Sequence, residues 1–135
     1  MKHVDTIVLV EDIKRSRAFY SDVIGLSVLH DWESMLIFKE RFSIHQADLL
    51  LPKEVIQPHL SQGKQGRNNI ILYFESENLE EDFERVKKSG AIILHGILHL
   101  QPWQKIFRCF DPDGHIVEIG NPLAEPNEDD RSSIC

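Results

Sequence analysis

The sequence predicts an α+β fold in which two β-α-β-β-β modules form a curled mixed sheet around a cleft. Three observations support this prediction. Each half of the chain reads as a short strand, an amphipathic helix and three further strands. The hexapeptide G-L-S-V-L-H at residues 25–30 recurs as G-A-I-I-L-H at residues 90–95, an offset of 65 residues. A D-P-D-G corner joins two apolar runs near the end of the second half.

The first module is expected over residues 1–51. Its opening strand, residues 3–10, is short and β-branched and places Asp5 on one face with two apolar residues. Asp12 is a candidate N-cap for the following helix, and Gly25 is its expected stop. Three short strands then follow, over residues 27–30, 35–38 and 42–50.

Residues 52–67 are rich in Pro, Gln and Gly and are expected to form a linker to the second module, residues 68–123. A strand is predicted over residues 69–74, and the capping box Asn78-x-x-Glu81 predicts a helix that ends near Gly90. Together the two modules make one domain, residues 1–123. The remaining strands of the second module are predicted over residues 92–100, 105–110 and 115–119.

The closing strand of the second module carries one carboxylate among apolar residues. Period-two alternation places His115, Val117 and Ile119 on one face and Glu118 on the other, with Gly120. A carboxylate in an apolar strand lowers stability unless it is solvated, paired or bound to a cation. Glu118 is therefore the first candidate for a functional site, and a solvent-facing Glu on a half-exposed strand is the alternative.

Composition excludes several classes of protein. The net charge of −7, with no basic stripe, argues against a nucleic-acid partner. No apolar run approaches the roughly 20 residues that span a bilayer, and no signal peptide is recognised, so a cytoplasmic protein is expected. Two cysteines cannot form a disulfide framework. The acidic segment 124–135 is expected to be a disordered tail.

The modules close on D-P-D-G-H-I-V-E-I, and D-I-K-R-S-R-A-F-Y-S-D-V-I-G-L opens the first helix. These features resemble the vicinal oxygen chelate superfamily, the glyoxalase/bleomycin resistance protein/extradiol dioxygenase family. The superfamily contains glyoxalases, extradiol dioxygenases, fosfomycin-resistance enzymes and bleomycin-binding proteins. The resemblance covers residues 4–121, nearly everything before the tail.

The resemblance also implies a set of metal ligands. The carboxylate ligand of the second closing strand matches Glu118, which would also be the catalytic residue. Asp5 stands where a His or Gln is usual, Asn69 where a His is usual, and His45 where glyoxalases have a Glu. One imidazole, two carboxylates and an amide suit Mn²⁺, Fe²⁺ or Mg²⁺, with Zn²⁺ as a further candidate. In the alternative, the same four residues hydrogen-bond one another in a metal-free polar cleft.

Charged and aromatic residues near the D-P-D-G corner suggest a ligand-binding mouth for an anionic or aromatic molecule. Lys105 and Arg108 can equally be strand-edge charges. His95 and His99 share a strand face and are expected at a surface or interface. The ligand-binding candidates are Tyr73, Trp103, Gln104, Lys105 and Arg108.

These observations predict a glyoxalase/bleomycin-resistance family protein that acts on a small oxygen-rich molecule in the cleft between the modules. With a divalent metal it would be a lyase, isomerase or dioxygenase. The alternative is a metal-free protein that sequesters an antibiotic or small metabolite. A homodimer is expected, because half-open sheets usually bury an edge or a face.

Overall fold

The computed structural model describes residues 1–50 and 66–123. The first module contains β1 (Thr6–Val10), α1 (Ile13–Arg17) with a following π-helical turn (Ala18–Val23), β2 (Val28–Asp31), β3 (Met35–Phe38), β4 (Phe42–Gln46) and α2 (Ala47–Leu50). The second contains β5 (Ile71–Glu75), α3 (Leu79–Lys88), β6 (Ile93–Gln101), β7 (Gln104–Phe110) and β8 (Ile116–Gly120). No helix among these residues is long and apolar enough to cross a membrane.

Each module forms its own four-stranded mixed sheet, and the two sheets have the same topology. The strand orders are β1-β4-β3-β2 and β5-β8-β7-β6. In each sheet the opening strand pairs parallel with the closing strand, and the other pairs are antiparallel. The predicted α+β fold with two β-α-β-β-β modules is confirmed, and both sheets are open.

One hydrophobic core joins the modules. Along each strand, every second side chain points into this core. In β8 these are Val117 and Ile119, as the alternation in the sequence predicts. The opposite face of each sheet, which carries Glu118 in the second module, is called the open face below. The fully buried core side chains with the largest volumes are Tyr20, Phe38, Phe107, Leu36, Ile44, Val10, Val86 and Val117.

The first helix begins as predicted. Asp12 is extended and its side chain accepts hydrogen bonds from the N–H groups of Lys14 (3.0 Å) and Arg15 (3.3 Å). The helix widens over its second half, where Ile24 N–H donates to the Phe19 carbonyl 2.9 Å away, and it stops before Gly25, which has a φ of +90°.

Two local predictions are wrong. The strand predicted over residues 42–50 ends at Gln46, because Gln46 turns its side chain to the start of α1, accepting from Ile13 N–H (2.8 Å) and donating to Glu11 O (2.8 Å). The helix formers after it make the short helix α2 instead. The Asn78 side chain makes no capping hydrogen bond; Ser76 Oγ accepts from Asn78 N–H at 3.0 Å instead.

The D-P-D-G corner is more than a turn, because it fastens the two modules together. Asp113 is 2% exposed and accepts from Glu11 N–H (2.9 Å), Ser16 Oγ (3.2 Å) and the more distant Arg15 Nη2 (3.4 Å). Asp111 accepts from the Tyr20 hydroxyl at 2.7 Å. These contacts between the β7–β8 corner and the β1–α1 segment are called the first seam.

Candidate ligand site on the open face of the second sheet

Three neighbouring strands of the second sheet place Tyr73, Glu118 and Arg108 side by side. Tyr73 of β5 is the Cα partner of Glu118 on β8, and Glu118 is the partner of Arg108 on β7. We call these three residues the second-sheet row. The first sheet has the same arrangement of strands, and its corresponding row consists of Leu9, His45 and Met35.

Glu118 is buried and paired with Arg108. Its side chain is 12% exposed, and its Oε1 accepts from both Arg108 Nε (2.8 Å) and Nη2 (2.7 Å). Hydrogen bonds of this length between ionised groups are the strong ones in proteins. The cation that compensates the carboxylate in this apolar strand is therefore the guanidinium of Arg108.

His95, which the sequence predicts at a surface or interface, is hydrogen-bonded to this pair. Its Nδ1 lies 2.8 Å from the Gly96 carbonyl oxygen, so Nδ1 carries the proton and Nε2 is an acceptor. Arg108 Nη1 donates to that Nε2 at 3.2 Å. In the sequence, His95 stands out only as the last residue of the repeated hexapeptide. Its contact with Arg108 follows from the pairing of β6 with β7, in which the two residues are partners.

Tyr73 places a neutral phenol beside the carboxylate. Its oxygen lies 3.3 Å from the point that a Cβ on Gly120 would occupy, so a side chain there would crowd the phenol. Burial raises the pKa of Tyr73 above its usual value; Glu75 and Glu118 act in the same direction, whereas a hydrogen bond with Gln104 opposes it. At neutral pH the phenol keeps its proton and can donate it.

The predicted ligand-binding mouth is divided by the sheet. Tyr73 and Arg108 belong to the second-sheet row on the open face, and Gln104 lies on the same face, where it hydrogen-bonds Tyr73. Trp103 and Lys105 line a pocket of about 290 Å³ beside α3, where Lys105 Nζ lies 4.0 Å from Glu80 Oε1. Strand alternation explains the division, because successive side chains point to opposite faces.

The four residues implied as metal ligands have separate surroundings. Asp5 accepts from Thr6 N–H (2.8 Å) and from the buried Ser43 hydroxyl. His45 Nδ1 donates to the Gln46 carbonyl at 2.9 Å, and Asn69 is exposed in the bend before β5. Within residues 1–50 and 66–123, no three His, Cys, Asp or Glu side chains lie where they could hold a metal ion. The described residues do not fit a metal site, and the ligand assignment stays a prediction.

The arrangement can recognise oxygen atoms. The ion pair is neutral as a unit, yet only three of the five guanidinium N–H groups, one on each nitrogen, are used in the contacts above. The Tyr73 hydroxyl and the Gln104 amide lie on the same face of the sheet and add further donors. Such donors suit carbonyl and hydroxyl oxygens.

Comparison with known proteins supports this class of fold. Residues 3–124 match the family model of the glyoxalase-like domain. A crystal structure of a protein of unknown function from Agrobacterium tumefaciens str. C58 is 38% identical, covering 91% of this chain and 95% of that one with a TM-score of 0.78. None of the curated proteins compared with the chain matches it.

More distant structures share the fold. A glyoxalase/bleomycin resistance protein/dioxygenase from Nocardioides is 18% identical, with a TM-score of 0.67 over 95% of this chain and 88% of that one. A glyoxalase-related enzyme from Fulvimarina pelagi is also 18% identical, with a TM-score of 0.71 over 96% and 94%. The family model spans nearly all of the sequence, and the chain therefore belongs to the glyoxalase-like family of the vicinal oxygen chelate superfamily.

Proposed function

We propose that this protein binds a small, oxygen-rich molecule on the open face of the second sheet without using a metal ion. The observation that carries the proposal is the pairing of Glu118 with Arg108. Glu118 is the one residue that matches the usual metal ligand in type and position, and its charge is already compensated inside the protein.

A divalent ion at Glu118 would have to displace Arg108 or lie beside its guanidinium. A divalent ion about 4 Å from the guanidinium would be repelled by about 8 kcal/mol at the effective dielectric of a protein surface, twice the value for two unit charges. The nearest imidazole in the network, His95, is also committed, because its Nε2 accepts from Arg108. A hard cation would therefore meet a carboxylate whose charge Arg108 already compensates through Oε1 and an imidazole whose Nε2 already accepts a hydrogen bond.

The ligand chemistry follows from the donors of the site. Since the ion pair is neutral overall, the site favours neutral carbonyl and hydroxyl oxygens over a free anion. Tyr73, Gln104 and Arg108 would hold these oxygens, and Ile71, which is 49% exposed on the same face, offers apolar contact. The name of the Nocardioides neighbour combines two enzyme classes with a drug-resistance protein. Of these alternatives, binding without a chemical reaction is the most consistent with a Glu118 whose charge is already paired.

We also propose that the protein forms a homodimer. β6 is an edge strand of the described sheet and exposes Leu94, Leu98 and Leu100 by 40%, 38% and 46%. Edge strands with large apolar side chains favour pairing with another chain. Sedimentation velocity should give twice the mass of one chain, and Leu98→Lys should reduce it to one; a monomeric wild type would contradict this.

The binding proposal is tested by NMR with a panel of small α-hydroxy acids, sugars, amides and bleomycin. With EDTA present, hits should shift the signals of Tyr73, Gln104 and the Arg108 Nε–H group. The same panel is then repeated with Mn²⁺ or Zn²⁺, and turnover of the methylglyoxal–glutathione hemithioacetal is assayed. Hits or turnover that require the ion would overturn the proposal.

A further inference from the structure

The register of the two sheets relates their strands residue by residue. Leu9 and Tyr73 occupy the same place in the two rows, an offset of 64, which also relates Glu11 to Glu75. In the first seam, the β7–β8 corner provides hydrogen-bond partners for two backbone groups that point outward at the end of β1, the Leu9 carbonyl and the N–H of Glu11 just after the strand. The Leu9 carbonyl accepts from His115 Nε2–H at 3.1 Å, and Glu11 N–H donates to Asp113 at 2.9 Å.

The corresponding backbone groups of β5 also point away from their sheet. Ser76 N–H donates to the Gly120 carbonyl at 2.8 Å in continuation of the parallel β5–β8 pairing. Because pairing alternates along a strand, the N–H and C=O groups of Phe74 face β8. The Tyr73 carbonyl and the Glu75 N–H therefore point outward from the edge of β5.

The corner that corresponds to D-P-D-G does not reach these groups. His45 and Glu118 are 73 residues apart in the two rows, and the same offset relates Glu40 to Asp113 and Arg41 to Gly114. Both turns place this residue in the left-handed region, with a φ of 54° at Arg41 and of 85° at Gly114. However, Glu40 is exposed whereas Asp113 is 2% exposed.

A pocket of about 570 Å³ lies at this place, between Leu26, Glu40, Arg41 and Phe42 on one side and residues 72–75 on the other. We call it the second-seam pocket. Its volume is in the range that holds a small organic ligand. Its apolar wall includes the rings of Phe42 and Phe74, whose centroids are 5.9 Å apart.

We propose that the second-seam pocket binds a short, extended, peptide-like molecule that pairs with the outer edge of β5. In parallel pairing, one ligand residue donates its N–H to the Tyr73 carbonyl and accepts from Glu75 N–H with its own carbonyl. The ligand thus supplies the donor and the acceptor that His115 and Asp113 supply in the first seam. Its side chain lies on the same face as that of Phe74, against the aromatic wall.

The proposal is independent of the function proposed above. The open-face site uses the phenol of Tyr73, whereas the second-seam pocket uses its backbone carbonyl. The exposed Glu40, Arg41 and Glu75 at the rim carry both signs of charge, so amine and carboxylate ends of a peptide each find a partner.

The probe is N-acetyl-Ala-Phe-Ala-amide, and its matched control carries an N-methyl group on the Phe nitrogen. We expect the first peptide to bind with one site and to slow hydrogen exchange of the Glu75 amide. N-methylation removes the donor to the Tyr73 carbonyl and should weaken binding at least about tenfold. Equal affinity for both peptides would overturn the proposal.

A pair of variants tests the protein side. Glu75→Pro removes the outward N–H, which an edge strand tolerates because that group is not in the ladder, and should weaken binding at least about tenfold. Glu75→Ala removes the same side chain but keeps the N–H, so any loss of affinity in this variant should be much smaller than in Glu75→Pro. Loss of binding in both variants, no binding by the wild type, or shifts confined to the open face would contradict the proposal. If Glu75→Pro does not fold, the two peptides on wild-type protein still decide.

Discussion

The two modules share strand order and register but differ at the three positions of their rows. The second-sheet row is Tyr73, Glu118 and Arg108, a phenol beside a buried ion pair. The first-sheet row holds two apolar residues and His45, whose Nδ1 is bonded to the neighbouring backbone. A repeated scaffold therefore carries an ion-paired, polar row in one half and a mostly apolar row in the other.

The seams differ in the same manner. In the first seam the corner residue Asp113 is buried and accepts hydrogen bonds from three donors. Its equivalent beside the second-seam pocket, Glu40, is exposed. One corner holds the modules together, and the other leaves a pocket. Substitutions at equivalent positions can therefore separate structural from binding roles.

The largest expected effect is at the buried corner. Asp113→Ala leaves the buried Ser16 hydroxyl and the partly buried Glu11 N–H without their acceptor and should lower the free energy of unfolding by about 2–3 kcal/mol. The matched substitution Glu40→Ala should change it by less than about 0.5 kcal/mol. Urea denaturation measures both. Similar losses in the two variants would mean that the corners do not differ as described.

The next effect concerns the ion pair. Arg108→Met leaves the Glu118 carboxylate without its cation and should cost about 2–3 kcal/mol, somewhat below the range for fully buried pairs because both groups are partly exposed. Arg17→Met, which breaks the exposed pair with Asp31, should have a much smaller effect than Arg108→Met, because solvent screens an exposed pair.

The double variant Arg108→Met/Glu118→Met sharpens this prediction. Since both charges are removed together, most of the stability lost in Arg108→Met should return. A double variant as unstable as Arg108→Met would show that packing of the Arg108 side chain, rather than its charge, stabilises this face.

Stability should also fall at high pH. Burial, helped by the nearby Asp111 carboxylate, raises the pKa of Cys109 to about 12. An unfolded thiol ionises near pH 8.5, so above that pH the unfolded state releases a proton that the native state keeps. The free energy of unfolding should then fall by up to about 1.4 kcal/mol per pH unit. Cys109→Ala should remove most of this slope between about pH 8.5 and 9.5, below the range in which the buried Tyr20, whose pKa is also raised, contributes; an unchanged slope would contradict the assignment.

The smallest effects are expected at the paired positions of the opening strands. Asp5→Ala removes the acceptor of the fully buried Ser43 hydroxyl and should cost about 1 kcal/mol. Asn69→Ala, at an exposed bend, should change stability by less than about 0.5 kcal/mol. Thermal unfolding of the two variants would measure this, and a larger loss in Asn69→Ala would reverse the comparison.

Sequence patterns predicted the elements well because their signals are local. Alternation identified the faces of β8, and the repeated hexapeptide indicated the duplication that the two equal strand orders display. The pattern also singled out Glu118 as a carboxylate within an apolar strand, and the structure shows that it is buried. Its partner could not be identified in that way, since pairing with Arg108 depends on the register between β7 and β8.

Contacts between distant segments were the main omission. Asp111 and Asp113 are residue types that are common in turns, so the sequence gives no reason to expect any further role for them. Their buried contacts with Tyr20 and Ser16 join segments about 90 residues or more apart in sequence and arise only when the modules pack. The predicted linker over residues 52–67 and the tail over 124–135 lie largely outside the described residues.

The central claim is that Arg108, and not a metal ion, compensates Glu118. The most direct measurement is the metal content of wild type and Glu118→Gln after dialysis against Mn²⁺, Fe²⁺, Mg²⁺ or Zn²⁺ and removal of free ion, with melting temperatures recorded with and without EDTA. We predict far less than one ion per chain in both proteins and no change in melting temperature on adding EDTA. One ion per wild-type chain that is absent from Glu118→Gln, together with a melting temperature lowered by EDTA only in the wild type, would contradict the account.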